Sequence, residues 1–357
     1  MKKNTILLMG PLPLPITGQS LAFSVVCDSL SGIYVVNTTM YSSKIISMIY
    51  VLFSIVLGFL TKRFTCVYFT CSRSKFGGIR DLLLLLCSRL WKVPVVNHLH
   101  GFDFYQYSQS LSKIHRKLFI YAYAWVDTSI VLHEDMISEF KDFPKMDITI
   151  VENCYDPSLE ISPLTSVGIR MKLLYLSNIM QSKGIFILLD AIEKMKDLKN
   201  DFELNIAGEF LDDYLMSSEE VKVKFENKVK LLNDNGFRVV YKGVVFQSKK
   251  IELLSDSDIF ILPTFHRTEA FPISIIEAMR AGCGIISTNH NLIPSIIKDT
   301  NGILVEPKSI NSLSRGIIQL VKDQLKVEKL KFNNVLEAKN KYSPLRYIKE
   351  VNDIIIR

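Results

Sequence analysis

No C-x-x-C pair occurs among the six cysteines of this 357-residue chain (Cys27, Cys66, Cys71, Cys87, Cys154 and Cys283), and none stands at zinc-site spacing from a histidine. No zinc site is marked by spacing, and because the cysteines sit mostly in apolar runs, free thiols in a reducing cytoplasm are expected. No cluster of metal-ligating residues stands out. No apolar run reaches the roughly 20 residues that a spanning helix needs. Lys2 and Lys3 precede a short apolar run, but Pro11, Pro13 and Pro15 interrupt it and no small-residue cleavage site follows, so no signal peptide is expected. Internal repeats and low-complexity segments are also lacking.

Acidic residues are scarce at the start. Residues 1–120 carry 13 Lys/Arg against 3 Asp/Glu, residues 121–160 carry 2 against 9, and the remainder is nearly balanced, within a net charge of +7. A basic first third suits an anionic partner, whether a lipid surface, a lipid-diphosphate acceptor or nucleic acid; a solvated basic face is the plainer alternative. Nucleic acid is disfavoured, because the interleaved aromatics and basic helix of a strand-tracking groove are missing. Residues 45–60 form the most apolar stretch, flanked by Lys44 and by Lys62 and Arg63. A buried helix, a helix docked in one leaflet and a true span remain open readings of it.

What the chain has in quantity is apolar side chain, 48% of residues, over a length that suits two cores. Short apolar runs alternate with helical stretches, the spacing of parallel α/β sheets. The expected division is residues 1–160, joined by a returning helix at 342–357, and residues 161–341, with a linker marked by Pro157, Pro163 and Gly168.

The organising stretch is residues 263–288. A buried strand at 258–262 leads into a polar loop containing Arg267 and Glu269. Pro272 then opens a helix that runs to about Ala281, and Gly282 closes it. The first N–H groups of that helix, at Ile273 and Ser274, are free to face an anion. Two carboxylates eight residues apart, Glu269 and Glu277, do not help to bind phosphate; they suit hydroxyls. A nucleotide-sugar offers a ribose, a diphosphate and a sugar in one line.

This segment resembles the group 1 glycosyltransferases, retaining enzymes of the GT-B fold, through Glu269, Phe271, Glu277, Ala278, Met279 and Gly282, with Gly284 where proline is usual. The resemblance implies two Rossmann-like domains facing across a cleft and a C-terminal helix crossing back to the first. It implies that Glu269 faces the donor sugar and Glu277 the donor ribose, with donor contacts also from Phe271, Pro272, Ile273 and Ser274. Lys183 and Gly184 match the family's basic loop. Asn178 stands there in place of the usual arginine and Ser177 in place of glycine, so Lys183 must supply most of the diphosphate's countercharge, with Arg267 a candidate substitute. Gly208 matches the glycine-rich turn near the donor base. Gly18, in a first loop followed by a helix from about Leu21, matches the glycine that meets donor and acceptor. Asn153 fits the family's Asn-Gly and Cys154 departs from it.

His98 and His100 fall on one side of a strand by its period of two. His100, beside Gly101, matches the histidine that supports catalysis near the donor sugar, and Asp103 is a polar candidate in the same loop. Lys75 and Arg80, in a loop before a helix at 82–90 that Asp81 would cap, could meet an acceptor phosphate.

The reaction so implied moves a sugar with retention from a nucleoside-diphosphate donor to a hydroxyl of a glycan or lipid-linked acceptor. Cell-surface polysaccharide synthesis is the expected setting, in the cytoplasm or at the inner face of the membrane. No cofactor is expected. The pattern of two acids flanking a glycosidic bond is absent, and no cofactor lysine marks a phosphorylase. The alternative is a GT-B protein that binds a nucleotide-sugar without catalysis, or takes a different donor, for which the missing arginine is the best support.

Overall fold

The structure is a computed structural model. It describes residues 4–13, 17–160 and 170–357, so the linker positions Pro163 and Gly168 lie outside the described residues. The chain divides into two compact units, residues 1–154 with 344–357, and residues 155–343.

The first unit runs β1 (Asn4–Gly10), α1 (Gly18–Ser29), β2 (Ile33–Asn37), α2 (Lys44–Thr61), β3 (Arg63–Thr70), α3 (Lys75–Trp91), β4 (Val95–His98), α4 (Phe104–Ser110), α5 (Lys113–Tyr123), β5 (Thr128–Val131) and β6 (Asp147–Ile150). Its six strands are parallel, in the order β2-β1-β3-β4-β5-β6. The strands are nearly continuous apolar runs because both faces of a parallel sheet are covered; Val67, Tyr68 and Phe69 of β3 have no exposure. The chain moves one way from β1 to β2 and the other way from β2 onward. Right-handed crossovers therefore put α1 on one face of the sheet and α2, α3 and α5 on the opposite face. The packing agrees: α3 touches both α2 and α5.

The second unit runs β7 (Met171–Leu176), α6 (Ile185–Glu193), β8 (Phe202–Ala207), α7 (Ser218–Asp234), β9 (Val239–Tyr241), α8 (Gln247–Ser255), β10 (Ile259–Leu262), α9 (Ile273–Arg280), β11 (Gly284–Thr288), α10 (Ile293–Ile296), β12 (Gly302–Val305), α11 (Ile310–Lys322) and α12 (Gln324–Lys341). Its parallel order is β12-β11-β10-β7-β8-β9. The chain then re-enters the first unit as α13 (Pro344–Ile355), which packs on α1 and β3. There Arg346 donates to the carbonyls of Glu152 and Asn153, at 2.7 and 3.2 Å.

Three local expectations change. Helix α1 begins at Gly18, not near Leu21, because Thr17 and Ser20 form a capping box that fixes its start. Helix α3 begins at Lys75, capped by Ser74, and so takes in Gly77 and Gly78. Asp81 is therefore no cap. It lies inside the helix, fully buried, accepting from the backbone N–H of Ser72 (2.7 Å) and the hydroxyl of Tyr123 (2.8 Å). Pro272 stands at the N-cap of α9, one position before the first helical residue, and Gly282 ends that helix with φ +85°. All six cysteines are free and buried. Burial pushes the Cys27, Cys66 and Cys283 thiols up to about 12, which keeps them protonated and inert.

Candidate nucleotide-sugar site

In the second sheet β7 and β10 are neighbours, yet the chain leaves them in opposite directions, to β8 and to β11. Loops at the carboxyl ends of two such strands diverge and open a crevice. The loop after β7 ends in a 3₁₀ turn at Gln181–Lys183. The loop after β10 carries Thr264 to Pro272. Two glycines let these loops and their neighbours close up. Gly184 has φ +80°, and a Cβ there would sit 2.0 Å from the carbonyl oxygen of Pro263; at Gly208 (φ +153°) a Cβ would lie 1.9 Å from that of Ser177. Gly184→Ala is expected to cost more than the roughly 1–3 kcal/mol of backbone strain alone, read as a lower urea midpoint.

Across this crevice the Lys183 ammonium donates to Oε2 of Glu269 at 2.5 Å, and the hydroxyl of Thr264 donates to the same oxygen at 3.1 Å. Both side chains are largely buried. Burial pushes the Glu269 carboxyl up, but the Lys183 charge and hydrogen bond outweigh it and hold the group below the usual carboxylate range. Oε1 has no partner among the described residues and stays available to a hydroxyl. His266 braces the loop: its Nδ1 lies 2.8 Å from the Ser182 hydroxyl, while the Ser182 N–H donates to Asp213 at 2.7 Å. Asn291 donates to the Glu269 carbonyl at 2.8 Å.

Glu277 behaves differently. It is buried on α9, and Lys250 of α8 donates to its Oε1 at 2.8 Å and to Asp156 Oδ2 at 2.8 Å. Burial dominates and raises the Glu277 carboxyl despite the Lys250 charge. Asp156 is held down in spite of its burial, by Lys250 and Ser158.

The other expected donor residues are placed as follows. Phe271 is buried, edge-on to Tyr342 at 5.7 Å. Ile273 and Ser274 form the first turn of α9. Asn178 is half-buried, and its carbonyl accepts from the Tyr175 hydroxyl at 3.2 Å. Arg267 is exposed, with its guanidinium 4.4 Å over the Tyr214 ring. Gly18 is exposed at the start of α1.

In the first unit His98 and His100 do share a side, with rings stacked 4.0 Å apart. Burial, reinforced by the Arg73 charge, lowers His100 to about 3, so its imidazole is neutral across the physiological range. Both of its ring nitrogens are shielded from solvent and lack a hydrogen-bond partner, as does Nε2 of His98, whose Nδ1 meets the Tyr68 hydroxyl at 2.8 Å. Asp103 is tied to Arg73 at 2.5 Å. Arg80 is bonded to Asp81 at 2.9 Å, so on α3 it is an internal ion pair and not a loop cation. Lys75 is exposed in the first turn of α3.

Sequence reasoning passed over Lys250 and Asp156. The available signal was the spacing of Lys250 and Leu254, which puts a lysine on the inward stripe of α8. Asp156 gave no signal, since it sits in what reads as a linker.

The two parallel six-stranded units are those of a GT-B glycosyltransferase fold. HepE of Anabaena, solved in complex with UDP, superposes with a TM-score of 0.73 at 14% identity, covering 98% of this chain and 99% of that one. Residues 165–335 match the family model described as Glycosyl transferases group 1. An uncharacterized glycosyltransferase of Methanocaldococcus jannaschii is 25% identical over 253 residues, 65% of this chain and 61% of that protein. The N,N'-diacetylbacillosaminyl-diphospho-undecaprenol alpha-1,3-N-acetylgalactosaminyltransferase of Campylobacter jejuni is 33% identical over 100 residues, 28% of this chain and 24% of that protein. The chain thus spans less than two thirds of the length of these relatives.

Proposed function

We propose that the protein is a retaining glycosyltransferase that moves a sugar from a nucleoside-diphosphate donor to a hydroxyl of a glycan or lipid-linked acceptor. It would act in cell-surface polysaccharide synthesis, at the cytoplasmic face of an anionic membrane. The observation that carries this reading is the Lys183–Glu269 pair at the switch point of the second sheet, with one carboxylate oxygen saturated and the other open. The chemistry asks for that combination. A diphosphate leaving group gathers negative charge as the glycosidic bond breaks, and Lys183 with the first amides of α9 would stabilise it. Glu269 Oε1 would accept from a sugar hydroxyl and Glu277 from the ribose, with Lys250 and Asp156 holding Glu277 in place. Neutral His100 would offer a hydrogen bond without adding charge. UDP, bound in HepE, and the diphospho-undecaprenol sugar in the name of the Campylobacter enzyme are the models for the two substrates.

Binding without turnover, or an altered donor, is the competing reading, favoured by Asn178 where a second cation is usual and by Arg267 lying over Tyr214. A thermal-shift screen against UDP, GDP, ADP and their sugars separates these readings from no binding. A ligand at 100 times its Kd should add about 2.7 kcal/mol of stability. Stabilisation by one nucleotide series, with release of that nucleotide from its sugar, is the expected result. Stabilisation without release selects the binding protein, and no shift with any of them removes the nucleotide site.

A further inference from the structure

We infer that the outward side of α2, continued by α3 and α5, docks on the surface of an anionic lipid bilayer. This gives the membrane contact of the proposed function a definite surface. Helix α2 is inverted relative to an ordinary surface helix, whose outer face is polar. Its inner face holds Ser47, Ser54 and Gly58 beside Val51, Ile55 and Phe59, all buried. Its outer face carries Ile45, Ile49, Phe53, Val56 and Leu60, 42–69% exposed and spaced by three or four residues, with no polar side chain among them. The helix belongs to the first unit and is not a detached span: Phe59 packs on Phe64 and Trp91 at 5.0 and 5.4 Å, and Tyr34 donates to the Ser54 carbonyl at 3.0 Å.

The apolar face does not stop at α2. Phe76, Ile79 and Leu90 of α3, and Ile114 and Leu118 of α5, are 47–75% exposed on helices that pack side by side on the same face of the sheet. A cavity of about 640 Å³ walled by α3, α4 and α5 opens between Ile79 and Leu118. A helix with this composition lies in the plane of the interface, its apolar side sunk about 5–10 Å into the boundary of headgroups and chains.

Charge selects the occupant. Lys44, Lys62 and Arg63 bracket α2, Lys75 opens α3, and Lys113 and Lys117 lie on α5; all six are exposed, and none is in an ion pair among the described residues. Asp81 and Asp103 are the only carboxylates between residues 41 and 123, and each is taken up by an arginine. A second copy of the same face would set these cations against one another. Anionic headgroups match the cations, and acyl chains match the face between them.

The test is flotation of the full chain with phosphatidylcholine vesicles, with and without phosphatidylglycerol, at about 0.05 M and about 0.5 M salt. The protein should float with the anionic vesicles and partly release at the higher salt. The double variant Ile49→Asp/Phe53→Asp, altered only at exposed positions, should lose at least about tenfold in bound fraction with an unchanged circular dichroism spectrum. Lys62→Gln/Arg63→Gln should lower the preference for anionic vesicles. Flotation of the aspartate variant like the parent, or indifference of the parent to anionic vesicles, overturns the docking surface. So does a concentration-dependent dimer that the aspartate variant abolishes, since a second copy would then cover the face. Turnover of a soluble nucleotide-sugar without vesicles is measured alongside. Turnover without flotation removes only the docking surface, and flotation without turnover removes only the transferase.

Discussion

Lys183→Ala is expected to reduce turnover by about 10²–10³-fold, the loss seen when one pre-placed electrostatic donor is removed from a reaction centre. It is also expected to destabilise the second unit by about 3–5 kcal/mol, because Glu269 would be left as a buried carboxylate without its countercharge. The pH dependence gives the sign. In the parent, Glu269 is held below its unfolded value, so its contribution to stability is present above the ordinary carboxylate range and lost as pH falls through the depressed value. Without Lys183, burial is opposed only by the Thr264 hydroxyl and by His266, and the carboxyl moves up. The folded variant then binds the extra proton, and its stability falls as pH rises through that range. The gap between parent and variant in urea midpoint should therefore widen from acid to neutral pH. Lys183→Met combined with Glu269→Gln should recover most of the stability, since both charges go together, while turnover stays low. Recovery of turnover in that double variant would mean the pair is only a structural bridge.

Lys250→Met should be the most damaging change to stability among residues that no motif marks. It removes the cation between Glu277 and Asp156 and leaves two carboxylates facing each other in the interior, a loss of about 3–5 kcal/mol. The Lys250 ammonium is more tightly held than usual: burial opposes the charge, but Glu277 and Asp156 overcome it. Its raised value means that its contribution is complete at neutral pH and would fade only in strong alkali. In the variant Glu277, already raised by burial, should take up a proton first, so the deficit should be smaller at about pH 5 than at about pH 7.5. Nucleotide affinity should fall at the same time, because Glu277 is no longer oriented. Equal urea midpoints for parent and variant at neutral pH would show that the triad carries no net stability.

The residues differ in how legible they were, for reasons that follow from where their partners lie. Glu269 and Glu277 could be picked out because they sit in a short stretch whose spacing has a local meaning (a strand end, a loop, a helix start), and Lys183 because its loop resembles the basic loop of the family. Lys250 could not, because its partners are Glu277, 27 residues on, and Asp156, 94 residues back. Asp81 misled for the same reason. Just before an apolar run it reads as a cap, yet the Ser74 cap starts α3 earlier and sends Asp81 to Tyr123, 42 residues away. Residues 45–60 read first as a buried helix, and only packing against the rest of the first unit shows that one side of α2 is left open.

By itself the sequence determined the alternation of strand and helix, the parallel character of both sheets, and which loops carry charge and glycine, because hydrophobic period and turn chemistry act over a few residues. Tertiary structure alone decided which charges meet, which oxygen of Glu269 is left open, that His100 is uncharged, and which side of α2 faces out. Each of those depends on burial and on partners tens of residues apart, and desolvation is set by the packed neighbours, not by the residue's place in the chain.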